Sequence, residues 1–472
     1  MNKLKSVHIT NYYHKNSGGI STVYNGLLDQ ANRRERQISL IVPGERNDQE
    51  KVGDFGKIHY VKAAKSPIFD RRYRMMMPWK YILSGSQIRR ILLSEMPDII
   101  EIAEKYTLSY LAGLIKKGYF KSINRPMLVH LSCERMDDNL RAFISGTKPF
   151  RWLARRFMGN YIAPMFDYHL ANSDYTAQEL LDSVPPDGIS HRAPFFSDFC
   201  WRFFRNSGER FSERVFVNNC GVEDEVFNIN RKNPETRRRI LSEMNFPANA
   251  KILLYAGRLS PEKNIKLLFK VFRGLIGFYN YDLAKRDFRL LIAGDGPQSN
   301  WLRKKLQKYA PGKFKFLGHI AEKEKLADIY ANSDVFFHTN PREPFGIAPL
   351  EAMASGTPVI VPNSGGVLSY ANNENAWVEE PLFEDYFSAL MDIFNHPEER
   401  ERKVENALET ARQFTWEKSF ERLFKLYDEL YEEFLVARES FGFEGTSWLL
   451  QRQEKISRLD GEAARITSEG RD

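Results

Sequence analysis

The residues best placed to do chemistry are the two carboxylates of Glu343-Pro-Phe-Gly-Ile-Ala-Pro-Leu-Glu351, separated by seven residues and following a predicted strand. Pro344 and Gly346 keep a helix from starting early, so one is expected to begin near Ile347. Its unpaired N–H groups and positive dipole end then make a ready site for a phosphate. Glu343 is expected at the loop tip and Glu351 about one turn inside the helix, each accepting hydrogen bonds from a different part of a ligand. The plainer alternative is a capping carboxylate and a surface glutamate, and the Pro/Gly framing argues against it.

Further candidates follow other strands. Gly257-Arg258-Leu259-Ser260-Pro261-Glu262-Lys263 puts two cations five residues apart on a strand-to-helix turn. They can converge on a diphosphate, Arg as a fork and Lys as a point charge, or simply be solvated. Ser17-Gly18-Gly19-Ile20 lets backbone approach a ligand before a helix, or is only a tight turn. Gly294-Asp295-Gly296-Pro297 approaches a dinucleotide fingerprint, but Pro297 and the missing acidic residue at the next strand end make it a turn. His130, in Val129-His130-Leu131-Ser132-Cys133-Glu134-Arg135, is expected at a strand end facing a cleft, where it could bind a hydroxyl, or else be structural. A metal is hard to argue: Asp137-Asp138 has neither a neighbouring histidine nor Asp-x-Asp spacing.

The elements that must position these residues alternate between short β-rich runs and helical patterns. Predicted strands at 6–10, 39–42, 98–102, 127–131 and 168–171 make a first set, with helices at 22–32, 79–94 and 177–181. The pattern restarts with strands at 251–255, 289–293, 314–317, 335–338 and 358–361. Two such sets predict an α/β chain of two doubly wound parallel-sheet domains, with ligands outside the carboxyl ends of the strands. Residues 1–228 are assigned to the first domain, the polar stretch 229–249 to a linker and 250–414 to the second domain. A helix over 415–440 carries Trp416, Phe420, Leu423, Tyr427, Leu430 and Phe434 at helical spacing, and 441–472 is a charged tail.

These features resemble the retaining, nucleotide-sugar-dependent glycosyltransferases of the GT-B fold, most closely family 4 (glycosyl transferases group 1). The resemblance runs to about residue 436. It rests on Gly18-Gly19-Ile20, His130, Ala171-Asn-Ser-Asp-Tyr-Thr-Ala177, Asn219-Cys220-Gly221-Val222-Glu223, Arg258 with Lys263, Ala293-Gly-Asp-Gly-Pro297 and the Glu343/Glu351 motif. Cys220 and Glu223 depart from a segment that usually reads Asn-Gly-Val-Asp, and the connection at 185–214 is longer than usual. The resemblance implies two Rossmann-like domains facing a cleft, with the last helix crossing back to the first domain. It implies a hexosyltransferase without cofactor or metal. Glu351 would bind ribose hydroxyls and Glu343 the donor sugar. Gly346 and Ile347 would offer N–H groups to the diphosphate, and Arg258 and Lys263 would stabilise it as it leaves. Gly19 would close over it, and His130 would contact the sugar near the reacting carbon.

Composition narrows the partners. The chain of 472 residues, 42% hydrophobic and 28% charged, excludes disorder, collagen and a disulfide scaffold. Its three cysteines lack metal spacing and are expected as reduced thiols. No run reaches the roughly 18 apolar residues of a spanning helix, and MNKLKSVHIT lacks a secretory core, so a soluble or peripheral cytoplasmic protein is expected. The net charge of +8 divides unevenly: residues 1–160 hold 28 basic and 14 acidic side chains, while the remainder is net −6. Basic residues interleave with aromatics at 70–80, 150–157 and 195–205, which suits an anionic membrane on the inner face of the cell, or core aromatics with solvated arginines. The expected partners are a nucleotide-sugar donor and a glycan or lipid-linked acceptor, in polysaccharide or glycolipid synthesis, with no nucleic acid. A nucleotide-sugar epimerase of the same fold and a basic nucleic-acid- or membrane-binding protein without catalysis are the competing readings.

Overall fold

The structure, a computed structural model, describes residues 3–14, 19–66, 74–120, 122–143, 147–184, 195–204, 211–277 and 286–441. The predicted tail at 441–472 falls beyond these residues, except its first position.

Among the described residues, ten strands belong to the front half: β1 (Ser6–Ile9), β2 (Ile38–Gly44), β3 (Asp48–Val52), β4 (Gly56–Lys62), β5 (Ala64–Lys65), β6 (Arg74–Met75), β7 (Ile99–Ile102), β8 (Met127–Ser132), β9 (Tyr168–Ala171) and β10 (Val215–Val217). Eight of them form one sheet in the order β10-β9-β8-β7-β1-β2-β4-β3, and β5 with β6 makes a separate ribbon. Six more build the rear sheet: β11 (Lys251–Ala256), β12 (Phe288–Ala293), β13 (Phe314–Gly318), β14 (Val335–Phe337), β15 (Val359–Pro362) and β16 (Trp377–Glu379). Their order is β13-β12-β11-β14-β15-β16. The predicted strands read as continuous apolar runs because helices cover both faces of each sheet, and β1, β9, β14 and β15 are buried throughout.

Strand order reverses beside β1 in front and beside β11 at the rear, where β7 and β14 respectively pair on the other side. Crevices at such reversal points open at the carboxyl ends of the strands. Gly19 follows β1, Arg258 and Lys263 follow β11, and Glu343 follows β14, so both crevices receive predicted site residues.

Four differences from expectation have local causes. The front sheet is not purely parallel: β3 (DQEKV) pairs antiparallel with β4, and its exposed polar side chains suit a solvated edge. The helix expected at 79–94 is broken into Trp79–Ile82 and Gln87–Glu95 by the turn-forming Ser84-Gly85-Ser86. Weakly patterned β10 and β16 extend both sheets at their edges. The stretch expected as a linker instead docks on the rear domain, with a helix at Pro234–Glu243 capped by the Asn233 side chain and with Ile240 and Leu241 buried. Its arginines, which made it look solvated, pair with that domain: Arg237 with Asp334 at 2.7 Å and Arg231 with Asp328 at 2.9 Å.

The chain crosses between domains twice, side by side. Val222 N donates to Phe414 O at 2.8 Å, and Trp416 N donates to Val222 O at 3.1 Å. A Cβ on Gly221 would lie 2.4 Å from the backbone of Thr415, so only glycine lets the two crossings touch. The last helix (Trp416–Phe441) then returns to the front domain, burying Phe420, Leu423, Phe424, Tyr427, Leu430 and Phe434. Tyr427 donates its hydroxyl to buried Glu101 on β7, and Arg36 donates to Asp428 at 2.8 Å. No helix among the described residues is long and apolar enough to cross a membrane.

Candidate functional site

A cavity of about 960 Å³ lies between the two sheets, and both domains and the crossing helix line it. Gly19, Arg258, Lys263, Glu343, Gly346, Ile347 and Glu351 all face it. The sequence signals at the front and rear strand ends therefore meet in one space.

The rear wall is built around Glu343. Lys263, at the end of the short turn Pro261–Lys263, donates to Glu343 Oε2 at 2.6 Å. Asn340 Nδ2 donates to the same oxygen at 2.9 Å, and His338 Nε2 stands 3.6 Å from it. Glu343 sits in the loop before the helix, as expected, and is enclosed there by a cation and two polar side chains. Burial works against its charge, yet Lys263 and His338 outweigh this and hold the carboxyl down to about 2. Burial likewise lowers His338, to about 4, so it is neutral at physiological pH.

The helix of the motif spans Ile347–Ala354, the start expected from Pro344 and Gly346. Gly346 caps it at φ 91°, and Tyr370 donates its hydroxyl to the Gly346 carbonyl. A side chain is disfavoured at that φ, so glycine is what lets the loop turn directly into the helix. The first-turn N–H groups of Ile347 and Ala348 have no intrahelical partner, and both residues face the cavity. Glu351 accepts from Tyr330 Oη at 3.0 Å. Burial pushes its carboxyl up to about 7, against the pull of Tyr330 and Lys323.

His130 is elsewhere. It lies wholly buried inside β8, with Nδ1 3.2 Å from His169 Nδ1 and its ring against Phe166. Alternation along the strand explains this, since Leu131 reaches the cavity while His130 points into the core; past the strand end Cys133, Glu134 and Arg135 reach the cavity too. The expected contact between His130 and a sugar is thus corrected: burial and the neighbouring His169 hold it well below its usual value, as a neutral core histidine.

Sequence reading missed several cavity residues. His338, just past β14, satisfies the strand-end rule that was applied to His130. Asn340 and Tyr330 carry no signal of their own and matter only through the carboxylates they hold. Two contacts join the domains beside the motif: Ser173 donates its hydroxyl to Pro344 O, and Arg342 Nε lies 3.6 Å from Asp138 Oδ1. Of the segment expected as a turn, Gly294 instead bridges to the end of β13, its N donating to Gly318 O at 2.7 Å, and the turn falls at Pro297–Gln298, where Ser299 N donates to Gly296 O at 3.0 Å. All three cysteines are free thiols. Among the described residues no group of three or more His, Cys, Asp or Glu is arranged to hold a metal.

Comparison with known proteins accords with this geometry. Residues 236–410 match the family model of the glycosyl transferases group 1. Over 417 residues, 88% of this chain and 94% of the relative, the sequence is 24% identical to the GDP-mannose-dependent alpha-(1-6)-phosphatidylinositol dimannoside mannosyltransferase of Mycobacterium tuberculosis. A D-inositol 3-phosphate glycosyltransferase of Corynebacterium glutamicum is 29% identical over 46% of this chain and 52% of its own length. Among solved structures, sucrose-phosphate synthase from Thermosynechococcus elongatus superposes with a TM-score of 0.64 at 17% identity, covering 91% of this chain and 99% of the other. Anabaena Alr3699/HepE in complex with UDP gives 0.60 at 14% identity, with 90% and 100% covered. The chain is a glycosyltransferase of the GT-B fold, and its residues 236–410 are of the group 1 type. It is a transferase that takes its sugar from a nucleotide-sugar donor.

Proposed function

We propose that the protein is a retaining, metal-independent hexosyltransferase that moves a sugar from a nucleoside-diphosphate donor to a hydroxyl of a glycan or lipid-linked acceptor. The observation that carries this reading is the convergence of Arg258, Lys263, Glu343, the Ile347–Ala354 helix start and Glu351 on one cavity. Glu351 takes the ribose hydroxyls, and Arg258, Lys263 and the free N–H groups of the helix neutralise the diphosphate. Glu343 takes sugar hydroxyls, and Gly19 approaches from the front wall. A donor entering this site replaces Glu343 as the partner of Lys263 and frees the carboxylate for the sugar.

In the reaction the bond between the anomeric carbon and the phosphate oxygen breaks, and its electron pair stays on the phosphate. The acceptor oxygen bonds to that carbon from the same face and passes its proton to the departing phosphate oxygen. Fixed cations stabilise this charge separation more than the ground state, and that difference is the catalysis. The test is a thermal-shift panel of UDP-, ADP- and GDP-sugars, beginning with GDP-mannose, the donor named for the mycobacterial relative. Stabilisation by one nucleotide class, lost in Glu351→Ala and unaffected by EDTA, is expected; no response to any nucleotide contradicts the reading.

The acceptor side favours a cytoplasmic enzyme peripheral to an anionic membrane. On the helix Lys148–Phe157, Trp152 and Leu153 are more than half exposed, and Arg156 lies 4.7 Å over the Trp152 ring. Phe199 and Phe203 are exposed, with Lys117 4.4 Å over the Phe203 ring. Trp201, counted with the surface aromatics on sequence, belongs to the core and donates to Gly159 O at 3.0 Å. Aromatics beside cations suit the interface of an anionic bilayer. Flotation with phosphatidylglycerol vesicles at low salt is expected to recover the protein, and its absence from those vesicles contradicts membrane contact.

A further inference from the structure

The wall of the cleft opposite Glu343 holds a second built carboxylate site. Glu134 lies two residues beyond β8 and faces the cavity with Tyr12, Tyr106, Asp138 and Asn139. Tyr12 donates its hydroxyl to Glu134 Oε1 at 2.5 Å, while Oε2 accepts no hydrogen bond from the described residues. The backbone beneath is pinned, because buried Lys105 donates both to Glu134 O and, at 2.6 Å, to Glu179. Tyr106 completes the wall and accepts from Asn139 Nδ2 at 3.2 Å. One turn further on, Asp138 meets Arg342, the neighbour of Glu343, so this wall stands against the loop that presents Glu343.

The charges here are already assigned. Arg135 is clamped by Asp137 through two hydrogen bonds, of 3.0 and 2.9 Å, and Lys105 is fully buried on Glu179. Among the described residues no cation of this wall remains to receive an anion, while a fixed carboxylate oxygen, Glu134 Oε2, remains to receive hydroxyl groups. We propose that Glu134, oriented by Tyr12, binds the acceptor through its ring hydroxyls, and that the moiety it takes is a neutral polyhydroxy ring, a sugar or a cyclitol, rather than a phosphate. This rests on the glycosyltransferase reading of the cleft. It adds the side chains that hold the acceptor and the neutral character of the group they take.

The test is saturation-transfer NMR on the full chain in the presence of UDP or GDP, with methyl α-mannopyranoside and myo-inositol as neutral probes and glycerol 3-phosphate as the anionic one. The wild type is expected to bind one of the neutral rings saturably. Glu134→Gln should weaken that binding at least tenfold and Tyr12→Phe about threefold, with the nucleotide-induced thermal shift unchanged in both variants. That unchanged shift shows the fold and the donor half intact. Wild type that binds neither ring, Glu134→Gln that binds as wild type does, or stronger binding of glycerol 3-phosphate overturns the proposal. Loss of the nucleotide shift in the wild type contradicts the donor assignment instead, and is read separately from ring binding.

Discussion

Lys263 Nζ rests 2.6 Å from Glu343 Oε2, joining the turn after β11 to the loop after β14 across the reversal point of the rear sheet. The pair holds in place the cation proposed for a diphosphate and the carboxylate proposed for a sugar. Lys263 keeps Glu343 charged in a site where burial alone would favour neutrality.

Replacing Lys263 should therefore have two effects. Lys263→Met removes the cation from the leaving group, and kcat is expected to fall by about 100- to 1000-fold, the range seen when one transition-state donor is lost. It also leaves Glu343 with only Asn340 and His338, so its carboxyl rises from about 2 toward its ordinary value. Steady-state kinetics reads the first effect, and the acid limb of a kcat/KM profile the second.

Glu351 predicts a pH dependence of donor binding. In the proposed site ribose hydroxyls donate to the ionised carboxylate, while burial holds the group at about 7 without them. Affinity for a nucleotide sugar should rise between pH 6 and 8, and Glu351→Gln should flatten the profile. Folding shows the opposite sign. A carboxyl raised in the folded state adds stability below its unfolded value near 4.5, and that contribution is lost as pH rises through 7. Ligand-free Glu351→Gln should thus melt above wild type at pH 8, by on the order of 1–3 kcal/mol, and level with it near pH 4. Calorimetric melts at the two pH values check this.

The buried histidines give a further pH test. His169 is lowered to about 3, chiefly by burial, and His130 is lowered as well. Both gain protons in the unfolded chain below about 6.5 but stay neutral in the folded one, so stability falls as pH drops from 6.5 toward 4. His130→Leu should reduce that slope by about one proton and change donor binding by less than threefold, since His130 does not face the cavity. Urea titrations across this range measure the slope, and a large loss of donor affinity would return His130 to the site.

The crossing helix is expected to be fastened by its tyrosine. Tyr427 donates to Glu101, which also faces His8 at 2.9 Å and Tyr24 at 3.3 Å. Tyr427→Phe removes one donor from a buried carboxylate and should cost about 1.5–3 kcal/mol. Equilibrium unfolding of the front domain measures it.

Much of this was legible in the chain because physics acts locally there. Apolar runs such as residues 251–255 can only be strands covered on both faces, and Pro344 with Gly346 sets where the helix of Ile347–Ala354 starts. What was not legible depends on partners distant in sequence. The direction of His130 turns on a one-residue register along β8, which periodicity over so short a run does not fix. The segment 229–249 looked like a linker because its arginines were visible and their aspartates, Asp328 and Asp334, were nearly a hundred residues away. The Tyr12–Glu134 contact spans 122 positions and becomes apparent only once β1 and β8 lie in one sheet.

The central claim is that Arg258, Lys263, Glu343 and Glu351 form one site for a nucleoside-diphosphate sugar. Calorimetric titration of the wild type and Glu351→Ala with UDP-glucose, ADP-glucose and GDP-mannose tests it most directly. The wild type is expected to bind one of these one-to-one, with affinity at least tenfold weaker in a folded Glu351→Ala. Equal binding by the two proteins, or no heat from any of the three donors, would contradict it.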